Sequence, residues 1–124
     1  MRKNRLGKSF IVLVLACVIF LMSVSPAYAY TSGIGTLVVD EWDRSYAYAA
    51  TYSYGYVSVS LSVSVYNQQT HTYTGDGNGG TSITGFIHTS VGAGSPIIIT
   101  AANSYHTDSD GYKVISWNPN TGYY

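Results

Sequence analysis

Few residues in this chain could do chemistry. Its three histidines, His71, His88 and His106, are separated by 17 and 18 positions. Neighbouring strands could gather them around a metal, but that spacing matches no short ligand motif, and three separate imidazoles are expected. The run Gly75-Asp76-Gly77-Asn78-Gly79-Gly80 begins like a calcium loop. Such a loop closes on a bidentate Glu at its twelfth position, which here is Ile87, and the tandem repetition of glycine-rich calcium rolls is missing. A hairpin loop is the expectation there. Serine is common and His106 stands close to Asp108, yet no Gly-x-Ser-x-Gly elbow presents a nucleophile. Asp40, Glu41 and Asp43 could supply paired carboxylates for glycoside chemistry, but on a strand they alternate between faces and read as a solvated edge. No catalytic residue, metal ligand or cofactor is assigned, and a non-enzymatic role is expected.

Aromatic side chains carry more information. Beyond residue 29 the chain holds twelve tyrosines and two tryptophans but one phenylalanine, Phe86. Tyrosine joins a large rigid contact surface to a polar tip, which suits stacking on sugars or polymer chains at a wet interface. It is also a good strand residue that can simply cover a thin sheet. Tyr46, Tyr48, Tyr52, Tyr54 and Tyr56, together with Trp42, are the candidate binding residues because they crowd one short stretch.

That stretch, residues 45–67, dictates the local structure. Even positions carry tyrosine up to Tyr56 and then Ser58, Ser60, Ser62 and Ser64; odd positions carry Ala47, Ala49 and Thr51 and then Val57, Val59, Leu61, Val63 and Val65. Period two is the signature of strands, whose side chains alternate between faces. One strand of this length would span about 75 Å, so it must break, and Gly55 is the natural place. A two-residue hairpin loop at Tyr54-Gly55 would set Tyr52 opposite Val57, Tyr48 opposite Leu61 and Tyr46 opposite Val63, gathering aromatic and aliphatic groups on one face.

Further strands are expected at residues 34–40, 81–91, 97–106 and 112–117, with turns at 40–44, 75–80, 92–96, 107–111 and 118–122. Ile97-Ile98-Ile99 lacks alternation and reads as buried on both faces. The expected fold is all-β: a single small antiparallel β-sandwich or barrel of about six or seven strands.

Residues 1–29 are of another kind. Arg2, Lys3, Arg5 and Lys8 precede an apolar run of 13 residues from Phe10 to Met22, and Ala27-Tyr28-Ala29 is a small-x-small site. This reads as a signal peptide cleaved between Ala29 and Tyr30, leaving residues 30–124 as one secreted domain. The apolar run is shorter than the roughly 18–20 residues of a spanning helix, so no membrane span is expected after processing. Removal of this segment leaves two basic residues, Arg44 and Lys113, against six acidic ones, a net charge of −4. Nucleic acid and anionic membranes, which need clustered Lys and Arg, are excluded as expected partners. The single cysteine, Cys17, goes with the leader. A domain this small without a disulfide buries only about 60–65% of its unfolded surface, so association into a homo-oligomer would help it.

The segments Ala-Ala-Thr-Tyr-Ser-Tyr-Gly-Tyr-Val-Ser-Val-Ser, Ala-Asn-Ser-Tyr-His-Thr and Gly-Tyr-Lys-Val-Ile-Ser-Trp, with the closing Thr-Gly-Tyr, resemble small secreted β-rich proteins of Gram-positive bacteria that have no assigned activity. The likeness covers most of residues 45–124 and implies export and a β-fold, with no functional residue. A fainter similarity in size and composition points to lactococcin-type β-sandwich bacteriocins, but their tryptophan-glycine opening and paired-histidine segment are not evident. The leading expectation is a secreted or wall-associated module that binds an extracellular polymer or protein through a tyrosine-rich sheet face. The alternatives are an antimicrobial competition factor and a self-assembling matrix component, the latter suggested by the uncharged, proline-free segment 57–65.

Overall fold

A computed structural model describes residues 27–124, with side chains from Tyr30 onward; residues 1–26, and with them most of the expected signal peptide, lie outside the described residues. Nine strands and no helix are formed among the described residues. They are β1 (Ala27–Ser32), β2 (Gly35–Asp40), β3 (Tyr46–Tyr52), β4 (Val57–Asn67), β5 (Thr72–Ser82), β6 (Phe86–Gly92), β7 (Ile97–Thr107), β8 (Tyr112–Asn118) and β9 (Gly122–Tyr123). Sheet A has the order β1-β2-β3-β6 and sheet B the order β5-β4-β7-β8-β9, all neighbours antiparallel. The two open sheets pack face to face, and each strand contributes alternate residues to the space between them. The all-β expectation holds, with nine strands in place of six or seven and no closure into a barrel. The expected cleavage point falls inside β1, and cutting there would leave residues 30–32 of that strand paired with 35–37 of β2.

The core is made by the odd-numbered residues of the alternating stretch. Ala47, Ala49 and Thr51 of β3 face Val57, Val59, Leu61, Val63 and Val65 of β4 across the gap, joined by Leu37, Val39, Val91, Ile99, Ala102, Ile115 and Trp117. This overturns the hairpin at Tyr54-Gly55. Strands β3 and β4 lie in different sheets, and the turn between them, with Gly55 at φ 74°, carries the chain from one layer to the other. Parity is unbroken through that turn, so alanines, not tyrosines, share the core with the valines. Volume explains the choice: small side chains on β3 leave room for the branched ones opposite, whereas tyrosines would overfill a two-layer core. Ile97-Ile98-Ile99 is corrected too. Only Ile99 is fully buried: Ile98 alternates to the other face, opposite Tyr66, and a bulge at Thr100 then lets Ala102 share the core face with Ile99.

The glycine-rich run 75–80, read as a turn, lies in the middle of the edge strand β5. The turn is instead at residues 68–71, where His71 adopts φ 56° and its amide donates to the Asn67 carbonyl at 2.8 Å. Glycine is needed in the strand because β5 presses close to β4: a Cβ on Gly77 or Gly79 would sit 2.9 or 2.8 Å from the carbonyl oxygens of Leu61 and Val59. The same run blunts the exposed edge. Asp76 Oδ1 accepts from the Gly77 amide at 2.8 Å and Asn78 Oδ1 from the Gly79 amide at 2.9 Å, so amides available to a foreign strand are already bonded. The segment 57–65, which suggested self-assembly, is itself paired on both sides by β5 and β7. Removing both caps, Asp76→Ala with Asn78→Ala, should therefore raise the self-association of the domain; sedimentation velocity on the double variant checks this, and an unchanged monomer over prolonged incubation would count against it.

Candidate functional site

Even-numbered residues of β3 point away from the core, and the register sets them beside the outward residues of β6. Tyr48 is opposite Ser90, Ala50 opposite His88, and Tyr52 opposite Phe86. The rings meet in one chain: Tyr48 and His88 stack with centroids 5.6 Å apart, His88 and Phe86 are 5.5 Å apart, and Phe86 and Tyr52 are 4.8 Å apart. Tyr46 extends the row at the other end of β3. These side chains form a platform on the outer face of sheet A that is open to solvent, with Tyr52 exposed to 55% and Phe86 to 39%. Ala50 shows how closely the rings lie: it is on the solvent side of the sheet between Tyr48 and Tyr52, yet none of its surface is accessible. Partial burial among its neighbours also pushes the Tyr48 phenol above its ordinary pKa, with smaller contributions from Tyr52 and Tyr46. The phenol is therefore neutral at physiological pH.

The six candidate residues do not form one site. Tyr46, Tyr48 and Tyr52 share the platform. Tyr54, at 95% exposure, and Tyr56 project from the turn between β3 and β4, and Trp42, at 83%, stands on the turn between β2 and β3. Phe86 and His88 were missed as site residues, although the sequence holds a signal for them: Phe86, His88 and Ser90 occupy the parity opposite to Ile87, Thr89 and Val91, as an outward row should.

The three histidines lie in three environments. His71 is at the turn before β5, where Nδ1 is 2.8 Å from the Tyr66 hydroxyl, and His88 is in the platform. His106 is fully buried between the sheets. Its Nδ1 is 2.9 Å from Thr51 Oγ1 and its Nε2 2.8 Å from Ser104 Oγ. Thr51 Oγ1 donates to the Ser58 carbonyl at 2.8 Å, so it accepts from Nδ1–H, and the Ser104 hydroxyl is shared between Nε2 and the Ile115 carbonyl, 3.3 Å away. A Ser–His pair of this geometry could activate a nucleophile only where substrate can reach it, and Ser104 is 1% exposed. Asp108 is not its third member. That carboxylate accepts from Ser53 Oγ at 2.6 Å and from the amides of Asp110 and Gly111, which hold it below the usual carboxylate range.

The acidic turn after β2 is likewise structural and less solvated than its charge suggested. Glu41 Oε1 accepts the indole N–H of the core residue Trp117 at 2.7 Å, Asp40 caps the Trp42 amide, and Asp43 accepts from the Ser45 amide and hydroxyl. Comparison with protein-family models, curated proteins and solved structures finds no match to this chain.

Proposed function

We propose that this chain is an exported, non-enzymatic binding module that holds a neutral polysaccharide of the cell surface or surrounding matrix on the outer face of sheet A. The observation that carries this reading is the solvent-exposed chain of contacting rings, Tyr48, His88, Phe86 and Tyr52. Large exposed aromatic patches on a small domain are costly to keep in water and mark contact surfaces. The flat apolar face of a pyranose ring matches such a platform, while the phenol hydroxyls at its rim can bond the sugar hydroxyls. Rigid strands rather than loops carry the rings, so little conformational entropy is lost on binding. The leader-like residues 1–29 support export, and the acidic balance of the remainder disfavours anionic polymers.

The test is retention of the mature domain on insoluble cellulose, chitin and peptidoglycan. Tyr48→Ser with Tyr52→Ser and Phe86→Ser should lower retention on the preferred polymer by roughly tenfold or more, as loss of a central aromatic cluster does, while leaving the far-UV circular dichroism unchanged. Equal retention of the triple variant, or no retention of the native domain on any of the three, would sink the proposal.

A further inference from the structure

A second aromatic surface lies on the opposite layer. Tyr105 of β7 and Tyr112 of β8 stack with centroids 5.3 Å apart and planes at 22°. Both are exposed, Tyr112 to 69%, and Val114 beside them is also exposed. Tyr112 of the pair also borders an open cleft of about 270 Å³ between the turn that joins β1 to β2 and the turn that joins β7 to β8, lined besides by Gly33, Ile34, Asp108, Asp110 and Lys113. We infer that this cleft and the Tyr105–Tyr112 pair form a second carbohydrate site, which takes an end residue of a neutral glycan, and that the domain is thereby a cross-linker of glycan chains. The inference rests on the reading of the domain as a polysaccharide binder and adds a second ring surface, on the opposite sheet.

Three features define the ligand. First, the stacked pair offers a flat ring-sized surface with two phenol hydroxyls, the chemistry that receives a pyranose face. Second, the cleft is small: its volume is near the lower limit of small-molecule pockets and has room for a single sugar ring. Third, its polar groups are mixed and sparse. Asp108 is held in place by bonds from Ser53 and two backbone amides, so it serves as a fixed wall. Asp110 and Lys113 remain as one acceptor and one donor without ion-pair partners among the described residues, and they suit hydroxyl groups at the end of a chain. Around the pair, the outward residues of β4, β5, β7 and β8 include no Asp, Glu, Lys, Arg or His, as the register shows. That face therefore complements an uncharged partner and gives no grip to nucleic acid or an anionic lipid surface.

The two ring surfaces face away from each other, the platform on sheet A and the Tyr105–Tyr112 pair on sheet B, while the cleft lies at the end of the sandwich, where the Ile34 carbonyl accepts from the Tyr52 amide at 2.8 Å. A straight oligosaccharide stacked on one ring surface does not reach the other, so occupancy of both joins two chains, and avidity on a polymer exceeds the affinity of either site. Isothermal titration of the mature domain with chitohexaose and with cellohexaose reads this directly. The native domain should bind about two ligand molecules. Tyr105→Ser with Tyr112→Ser should bind one, as should the platform variant Tyr48→Ser with Tyr52→Ser and Phe86→Ser, each with an unchanged thermal melt. Asp110→Asn with Lys113→Met should weaken only the cleft site, by about tenfold. An unchanged stoichiometry and affinity in the Tyr105 and Tyr112 variant overturns the inference, as does the absence of any binding by the native domain. A single site lost only in the Tyr105 and Tyr112 variant keeps the cleft assignment, removes the cross-linking and removes the platform reading. A single site lost only in the platform variant removes the cleft and leaves the platform standing.

Discussion

Replacing Trp117 by alanine is expected to cost about 3–5 kcal/mol of folding stability, the range for deleting a large buried aromatic side chain. Trp117 is the largest of the fully buried side chains, at 2% exposure, and it shares one cluster with Leu37, Val39, Ala47 and Ala49. Its cross-strand partner is Ala102. Its neighbour on β7 is thus a single methyl group, which cannot expand to close the cavity left by removal of the indole. A domain of this size is held by only about 5–15 kcal/mol in total, so the loss is a large share of its stability. Urea unfolding followed by far-UV circular dichroism measures the loss. Tryptophan fluorescence cannot serve, since Trp42, the only indole left, is already 83% exposed. Trp117→Phe separates packing from the polar contact. It keeps most of the ring but leaves Glu41 Oε1 without its 2.7 Å donor, and should cost about 1–3 kcal/mol. A loss below about 1 kcal/mol for the alanine variant would show that the two sheets do not depend on this ring.

The core was legible in the sequence as a parity and illegible as a topology. Alternation through residues 45–67 identifies β3 and β4 and the break at Gly55, because the side-chain period of a strand is written directly into residue order. Alternation does not say whether two successive strands pair with each other or lie in different layers. Both arrangements place Val57, Val59 and Leu61 on one face, and the decision falls to volumes that meet only in three dimensions. Trp117 illustrates the point: it shares one core with Leu37 and Val39 of β2, Ala47 and Ala49 of β3 and Ala102 of β7, residues of both sheets that no pattern along the chain links. The edge strand was hidden for the opposite reason. Gly75, Gly77 and Gly79 break the strand pattern by composition, yet serve a close approach to the Leu61 and Val59 carbonyls, a backbone contact with no side-chain signature. The platform stood halfway between. Tyr46, Tyr48 and Tyr52 were visible as a cluster, but Phe86 and His88 join them only through the pairing of β3 with β6, strands more than 30 positions apart.

Acidification from pH 7 to pH 4 is expected to remove about 3 kcal/mol of stability through one residue, His106. Burial of the imidazole is the main cause of its lowered pKa, opposed in part by a hydrogen bond to the Ala50 carbonyl, and the folded-state value falls from 6.5 to about 4. The sign follows from proton counts. Between pH 4 and pH 6.5 the unfolded chain carries the proton and the native chain does not, so lowering the pH favours unfolding across that window. Above about pH 6.5 both states are neutral and the stabilisation is complete; below about pH 4 both are protonated and no more is lost. The structure shows why the cation is excluded: the ring is sealed between the sheets, and Gly35 packs so tightly on it that an added Cβ would come within 2.4 Å of Cδ2. Asp43 and Asp108, whose carboxyls are held low by their hydrogen bonds to Ser45 and Ser53, act in a different window. Their stabilising effect disappears only as the pH falls below the ordinary carboxylate value of 3.8. Urea titrations at half-unit intervals between pH 7 and pH 4 should therefore show stability falling as the pH drops through the His106 window. In His106→Gln, which offers the Thr51 and Ser104 hydroxyls a neutral partner, that slope should flatten while stability at pH 7 falls modestly. An identical pH dependence in the native and His106→Gln proteins would refute the assignment and leave the acid response to the carboxylates alone.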